Sequence, residues 1–154
     1  MATKIRKERV LGNFRPDRRQ REAGKRQRLT AKVRDREGNS DAHLAALRRL
    51  PCIVCLRNRT VRIAGEAHHL KSGKAARERG TGQRASDRWA IPLCRDHHED
   101  VTRNGNGPEA EDRWFNKHAI DQELLARRLW DASPDHDALS RVVFGHAGVT
   151  LRAE

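Results

Sequence analysis

Three cysteines and one histidine stand in two pairs with the spacing of metal ligands. Two residues separate Cys52 from Cys55, and Cys94 and His97 repeat that spacing further along the chain, with no cysteine left over. Two such pairs are typical of a closed tetrahedral Cys3His zinc site. A redox pair would need the βαβ context of a thioredoxin, which this sequence lacks, and buried structural thiols have no reason to be paired in this way. The spacing therefore predicts a structural zinc site.

Three further histidines, His68, His69 and His98, lie beside these ligands and exceed what one zinc ion needs. Neutral imidazole can bind a divalent metal or accept a proton near pH 7, because its pKa lies close to that pH. Two simpler interpretations remain open. The His68–His69 pair can pack around the zinc, or His68 can replace His97 as the fourth ligand. The number of histidines nevertheless favours a second site.

The order of these motifs resembles that of the HNH, or ββα-metal, endonuclease family. His68-His69-Leu70 follows a short apolar segment, and a polar loop and an Asp-containing segment lead to Ile91-Pro92-Leu93-Cys94-Arg95-Asp96-His97-His98. The resemblance covers residues 47–130. It is strongest to the zinc-stapled phage and prophage branch that includes the Ref-type recombination nucleases.

This resemblance implies a metal-dependent DNA endonuclease that hydrolyses phosphodiester bonds in phage or prophage recombination or DNA processing. By position, His69 matches the general base, His68 and His98 match ligands of a catalytic Mg²⁺ or Mn²⁺, and Asp87 lies near the residue that orients the base. Related phage sequences carry another histidine where this chain has Thr102. The implied partner is DNA, with a recombination protein as a second candidate. The alternative function is a non-catalytic, zinc-stabilised module that binds nucleic acid.

Basic residues concentrate at the N-terminus. The formal net charge of the chain is +12. Residues 1–37 hold 14 Lys/Arg and 5 Asp/Glu, a net charge of +9, so residues 38–154 carry the remaining +3. A segment this rich in charge and poor in apolar residues is expected to be disordered alone and to contact phosphates without sequence preference. A solubilising tail or an RNA contact is the alternative. The predicted DNA contacts in this arm are Arg18, Arg19, Arg21, Lys25, Arg26 and Arg28.

A second basic segment, residues 71–86, contains several glycines. It is predicted to be a flexible loop that grips phosphates beside the histidines, through Lys71, Lys74 and Arg77. A plain solvated loop fits the same composition.

The elements that must position these residues are short. Ser40-Asp41 predicts a capped helix as far as Leu50, the alternation from Val61 to Ala64 predicts a strand leading to the histidine pair, and residues 89–91 predict a second strand. A helix over residues 93–103 would direct His97 and His98 about 100° apart, so that they serve different sites. Helices over residues 109–118 and 121–130 follow.

The expected fold class is α+β: a small zinc-stabilised ββα-metal core with flanking helices and a disordered basic arm. The expected division is an arm over residues 1–39, a nuclease-like domain over residues 40–132, and a tail of uncertain order over residues 133–154. No run of eighteen apolar residues and no secretory signal occurs. Cysteines used for metal binding favour a reducing compartment, so a cytoplasmic location is expected.

Overall fold

The computed structural model of the chain describes Arg19, Glu22, residues 37–79 and residues 83–149. Contacts divide the chain into two compact units, Met1–Val33 and Arg34–Glu154, and the architecture below is that of the second unit. In the first, Arg19 and Glu22 are helical and exposed. The other contacts predicted in the arm, Arg18, Arg21, Lys25, Arg26 and Arg28, lie outside the described residues.

The described part of the chain has seven α-helices and one two-stranded antiparallel sheet, so the predicted α+β class is confirmed. A short 3-10 turn, Asp87–Trp89, precedes the second strand. In chain order the elements are α1 (Asp41–Arg49), α2 (Ile53–Arg57), β1 (Glu66–His69), α3 (Gly73–Glu78), β2 (Ala90–Leu93), α4 (Arg95–Asn104), α5 (Pro108–Lys117), α6 (Gln122–Ala132) and α7 (His136–Ala147).

The sheet places the histidine pair at the end of a strand. β1 and β2 pair from Glu66 opposite Leu93 to His69 opposite Ala90, and the amide of Leu70 adds one more bond to the carbonyl of Trp89 at 2.9 Å. Neighbouring residues of a strand point to opposite faces. His68 and His69 therefore diverge, and the chain leaves the sheet immediately after them.

Helix α1 begins as predicted, because the Ser40 hydroxyl accepts a hydrogen bond from the amide of His43 at 3.1 Å. Leu44 and Leu47 are buried on the face that packs against the sheet. The predicted helices after residue 93 are also present, with bounds shifted by one or two residues. The turn at Gly105 to Gly107 separates α4 from α5.

The strand predicted from Val61 to Ala64 is wrong. Val61 and Ile63 are 71% and 58% exposed, and Ile63 makes only an isolated bridge with Pro51. The backbone here hydrogen-bonds to the metal-ligand turn instead, since the carbonyl of Arg62 accepts from the amide of Cys52 at 2.8 Å. Alternation was a misleading signal because no second layer covers these side chains.

Two segments without a predicted element are helical. Residues 73–78 of the predicted flexible loop form α3, which buries Ala75. Past residue 133, Asp135 caps α7, whose Leu139, Val143 and Ala147 are buried against α6 and α2. The core therefore extends beyond the segment that carries the metal-ligand motifs. Within the described residues, no helix is long and apolar enough to cross a membrane.

Candidate functional site

The four predicted zinc ligands converge on one point. Cys52 and Cys55 flank the start of α2, whereas Cys94 is the N-cap of α4 and His97 lies on its first turn. The ligand atoms of all four residues lie within 4.8 Å of one another, and the three thiols are buried. This cluster can hold a metal ion such as zinc.

The distances within the cluster match tetrahedral coordination. The Nδ1 atom of His97 lies 3.5, 3.5 and 3.2 Å from the sulfurs of Cys52, Cys55 and Cys94, and the Cys55 and Cys94 sulfurs are 3.9 Å apart. Bond lengths of about 2.3 Å to sulfur and about 2.0 Å to nitrogen at tetrahedral angles require separations of roughly 3.5–3.8 Å. Burial raises the pKa of the Cys55 thiol to about 12 without a cation. A metal ion would supply the positive charge that the thiolates need.

The three remaining histidines of the motif line a single cleft of about 290 Å³. It lies at the end of β1, against α4 and the segment around α3. Ten residues form its walls: Ala67, His68, His69, Leu70, Lys71, Arg79, Arg84, Ala85, His98 and Thr102. The structure thus brings His68, His69 and His98 together, away from the cysteine cluster.

His69 is held by Asp87. The Nε2 atom of His69 lies 2.8 Å from Oδ1 of Asp87, a buried carboxylate. Oδ2 of Asp87 accepts the backbone amide of Ser40 at 2.9 Å, and Arg84 lies 3.3 Å from Oδ1. Ser40 therefore caps α1 with its side chain and fixes Asp87 with its backbone. The predicted position of Asp87 beside His69 is the one that the structure has.

This contact determines which nitrogen of His69 is basic. Asp87 accepts the proton on Nε2, so the neutral ring keeps a lone pair on Nδ1. Burial lowers the pKa of His69 below its ordinary value of 6.5, although the hydrogen bond to Asp87 opposes the shift. His69 is consequently a neutral, oriented imidazole at pH 7, as a general base must be.

His68 is held by Glu111, a residue that no sequence motif indicated. The Nε2 atom of His68 lies 2.9 Å from Oε1 of Glu111, and both side chains are essentially buried. Oε2 of Glu111 accepts the amides of Lys71 and Ser72 at 2.6 and 2.8 Å. Burial opposes ionisation of Glu111, but these hydrogen bonds outweigh it and lower the pKa of the carboxyl. Burial also lowers the pKa of His68, so the pair is a neutral imidazole beside a carboxylate.

The second ring nitrogen of His68 has no partner. Nδ1 of His68 is buried and makes no hydrogen bond. Such an orphaned acceptor carries a free-energy cost unless a cation or a water molecule occupies the position beside it. The ring of His98 packs edge-on against His68 with centroids 5.0 Å apart, and its Nδ1 contacts the carboxylate of Glu66. Both rings are therefore oriented by a carboxylate on one nitrogen.

Only the cysteine cluster brings together three or more potential metal ligands within the residues that the structure describes. The predicted second metal site has two histidines. The hydroxyl of Thr102, one turn after His98, donates a hydrogen bond to the carbonyl of His98 at 2.7 Å. Any further ligands of a metal at this position would be oxygens of water or substrate.

The predicted phosphate contacts of residues 71–86 divide between two places. Lys71 lines the cleft, as do Arg79 and Arg84. Lys74 lies elsewhere, 3.2 Å from Glu123, and Arg77 is exposed on α3. Arg79 donates to the carbonyl of Lys71 at 3.4 Å, and Arg84 donates to Asp87, the partner of His69, which holds both arginines at the cleft. Their place in the cleft depends on this tertiary fold, which the basic composition alone does not specify.

Comparisons with known proteins give a family without a described activity. A family model described as "Protein of unknown function (DUF968)" matches residues 25–133, which include both pairs of cluster residues and all three histidines of the cleft. Neither the curated proteins nor the solved structures contain a match. The resemblance to HNH endonucleases remains a prediction. Because the model matches more than half of its length, the chain belongs to the DUF968 family.

Proposed function

We propose that the chain is a metal-dependent endonuclease that hydrolyses phosphodiester bonds in DNA. One observation carries the proposal: three histidines meet in one cleft, and a carboxylate binds one ring nitrogen of each. A histidine that only packs can satisfy its nitrogens with any polar partner, such as a backbone group or water. Ligand histidines, in contrast, are regularly oriented by a carboxylate on the nitrogen that does not bind metal.

His68 and His98 fit a divalent metal. Glu111 accepts from Nε2 of His68 and leaves the orphaned Nδ1 as the donor atom, whereas Glu66 contacts Nδ1 of His98 and leaves Nε2. Two imidazoles with water completing the shell are compatible with Mn²⁺ and Mg²⁺, and also with Ni²⁺ and Zn²⁺. When bound, the ion would stabilise negative charge on the phosphate and on the leaving oxygen. The Cys3His cluster is proposed to bind structural zinc.

His69 is proposed to be the general base. Asp87 keeps the proton on Nε2, so Nδ1 can take a proton from the attacking water. The lowered pKa of His69 keeps the ring neutral until a substrate is bound. Lys71, Arg79 and Arg84 supply positive charge around the cleft, which favours a phosphate there.

DNA is the proposed substrate because the net charge of +12 suits a polyanion, and residues 1–37 carry most of that excess. The second candidate function is a non-catalytic nucleic-acid-binding module. The missing third metal ligand at Thr102 favours it, since two histidines alone hold a divalent metal weakly.

The test is nicking and linearisation of a supercoiled plasmid by the zinc-loaded protein, with Mg²⁺ or Mn²⁺ added. His69→Ala should slow cleavage about 10²–10⁴-fold, the range for loss of a general base. The matched control is His136→Ala, an exposed histidine at the start of α7 that should cleave at the wild-type rate. Equal rates for His69→Ala and wild type would overturn the assignment of the base. DNA binding without cleavage under either metal would favour the binding module.

A further inference from the structure

A second groove, outside the histidine cleft, has its own chemistry. It has a volume of about 290 Å³ and lies between α3, the turn at Asp87–Trp89 and α6. Three cations, two indoles and one carboxylate line it: Lys74, Arg88, Arg127, Trp89, Trp130 and Asp131. The proposed nuclease reaction uses none of these side chains. Its size lies at the lower end of small-molecule sites, which begin at roughly 300 Å³.

Arg88, one of the cations that line the groove, carries an unmet hydrogen-bond donor. Its Nε atom is buried and has no partner among the residues that the structure describes. The guanidinium lies against Gly38, where a Cβ atom would be only 2.5 Å from Nε, so the backbone at this position leaves room for the arginine head group alone. Gly38 also accepts the amide of Arg88 at 2.9 Å. The arginine is thus held in place by its backbone while its side chain lacks an anionic partner.

The charges of the groove differ in how far they are already paired. Lys74 is engaged by Glu123, whereas Arg127 is exposed on the outer face of α6. The indole N–H of Trp89 is occupied by Glu78, and Trp89 is nearly buried. Trp130 is half-buried and therefore leaves part of its ring accessible. An accessible indole flanked by Arg88 and Arg127 suits a flat ring that carries a phosphate.

The groove and the histidine cleft share one element. Asp87 holds His69 in the cleft, and the next two residues, Arg88 and Trp89, line the groove. The residue that positions His69 and two of the residues that line the groove are therefore consecutive in the chain. A base can reach an indole only when it is unpaired, because pairing keeps it in the duplex stack.

We propose that this groove binds an unpaired nucleotide, with its base on Trp130 and its phosphate beside Arg88 and Arg127. The inference deepens the proposed function and rests on it for the choice of DNA as ligand. It makes DNA with a single-stranded or branched region, rather than continuous duplex, the preferred substrate class.

The test is binding of a 5′-phosphorylated thymidine trinucleotide to the full zinc-loaded chain, measured by titration calorimetry at raised salt, which weakens contacts to the arm. Arg127→Gln should weaken binding about fivefold or more. Arg128→Gln is the matched control, because it removes the same charge from an exposed neighbour on α6 that does not line the groove, and it should bind as wild type does. A trinucleotide lacking its central base should also bind about fivefold or more weakly, since stacking contributes roughly 1–3 kcal/mol per base.

A second pair of variants separates stacking from folding. Trp130→Phe keeps an aromatic face and should retain binding, whereas Trp130→Leu should lose it while its circular dichroism spectrum stays that of the wild type. Equal effects of Arg127→Gln and Arg128→Gln, or no effect of base removal, would overturn the proposal. A hexaglutamate peptide would also overturn the proposal if it bound as tightly as the trinucleotide and its binding depended on Arg127. That result would assign the groove to an acidic protein segment.

These measurements need no cleavage, so the two proposals fail separately. Groove binding by a chain that never cuts DNA would leave this inference standing and defeat the nuclease. Plasmid cleavage by the wild-type chain, together with trinucleotide binding that is unchanged in Arg127→Gln, would support the nuclease and overturn this inference.

Discussion

At the scale of single residues, the site consists of histidines whose free nitrogen is selected by a carboxylate. Asp87 selects Nδ1 of His69 as the basic atom, and Glu111 does the same for His68. The carboxylates are fixed by backbone amides, of Ser40 in one case and of Lys71 and Ser72 in the other. Orientation of the histidines therefore depends on backbone positions as well as on side chains.

The first prediction concerns the pH dependence of cleavage at saturating metal. The base must be neutral, and burial lowers the pKa of His69, so the rate should fall with decreasing pH only below pH 6.5. Asp87 raises that pKa, so Asp87→Asn should shift the acid limb to still lower pH while its carbonyl oxygen still accepts from Nε2. The pH–rate profile of each variant measures this.

Asp87→Ala provides the contrast, because it removes the acceptor. Loss of a group that orients a functional histidine commonly costs about 10–100-fold in activity. An Asp87→Ala enzyme with the wild-type rate would show that this carboxylate does not position the base.

The second prediction concerns Glu111. Glu111→Gln can still accept the amides of Lys71 and Ser72, but it no longer offers His68 a charged acceptor. Affinity of the zinc-loaded protein for Mn²⁺ should fall about 10–100-fold. Titration calorimetry measures it, and Glu109→Gln, an exposed residue of the same helix, is the control. Unchanged Mn²⁺ affinity in Glu111→Gln would separate this carboxylate from metal binding.

The spacing of the ligand pairs predicted the cysteine cluster, and the resemblance to HNH endonucleases placed Asp87 near the residue that orients His69. The sequence could not predict Glu111 or Glu66. Glu111 lies 43 positions after His68 on an amphipathic helix, where an acidic residue reads as solvent-facing. Only the packing of α5 against the end of β1 turns that residue inward.

At the scale of elements, helix α1 contains a buried histidine with no hydrogen-bond partner. His43 is fully buried, both ring nitrogens are unpaired, and its ring packs edge-on against Trp130 at 5.0 Å. Burial lowers the pKa of His43 to about 4, with a smaller opposing effect from Asp87 and a further lowering from His69. The ring is therefore neutral and behaves as a packing group.

The third prediction follows for stability. The unfolded chain protonates His43 near pH 6.5 and the folded chain only near pH 4, so the native state should lose stability as pH falls through that window. A shift of this size corresponds to roughly 3 kcal/mol. His43→Phe should remove that part of the pH dependence and keep or raise stability at pH 7, because it also removes two unsatisfied polar atoms.

Urea unfolding from pH 7 to pH 4.5 measures the difference between wild type and His43→Phe. Both proteins share the cysteine cluster, so metal loss affects them equally. His136→Gln, at an exposed histidine, should follow the wild-type curve. Parallel curves for wild type and His43→Phe would show that the buried ring does not titrate in this window.

Elements were predictable where a local signal agreed with packing. The sequence predicts Ser40 as the N-cap of α1, and the structure confirms it. Val61 and Ile63 alternate as a strand would, yet nothing covers them, and α3 forms within a segment whose glycines indicated a loop. α7 depends on burial against α6 and α2, which only the assembled fold supplies.

At the scale of the whole molecule, the Cys3His cluster joins distant parts of a small core. It connects the start of α2 to the start of α4, with β1, α3 and β2 between them in the chain. A metal that closes such a loop stabilises a domain whose hydrophobic core is limited.

The fourth prediction is that one zinc ion per chain binds tightly and that its removal unfolds this unit. Chelation, or Cys52→Ala, should abolish the cooperative thermal transition followed by circular dichroism. Thr60→Ala is the control, because this exposed residue lies beyond α2 and outside the cluster. Its free energy of unfolding should stay within about 0.5 kcal/mol of the wild-type value. A metal-free chain with an unchanged transition would leave the cluster without a structural role.

Ser40 caps α1 with its hydroxyl and binds Asp87 with its backbone amide, and the second contact has a consequence for protein engineering. The recognisable motif starts at Cys52 and ends at His98, so a designer seeking a minimal cutting module would excise that stretch and graft it elsewhere. Such a graft would carry the cysteines and the three histidines of the cleft, but neither the amide that holds Asp87 nor the carboxylate that holds His68. The smallest stretch that keeps both contacts begins before α1 and continues through α5, more than one and a half times the length of the motif by which it would be found.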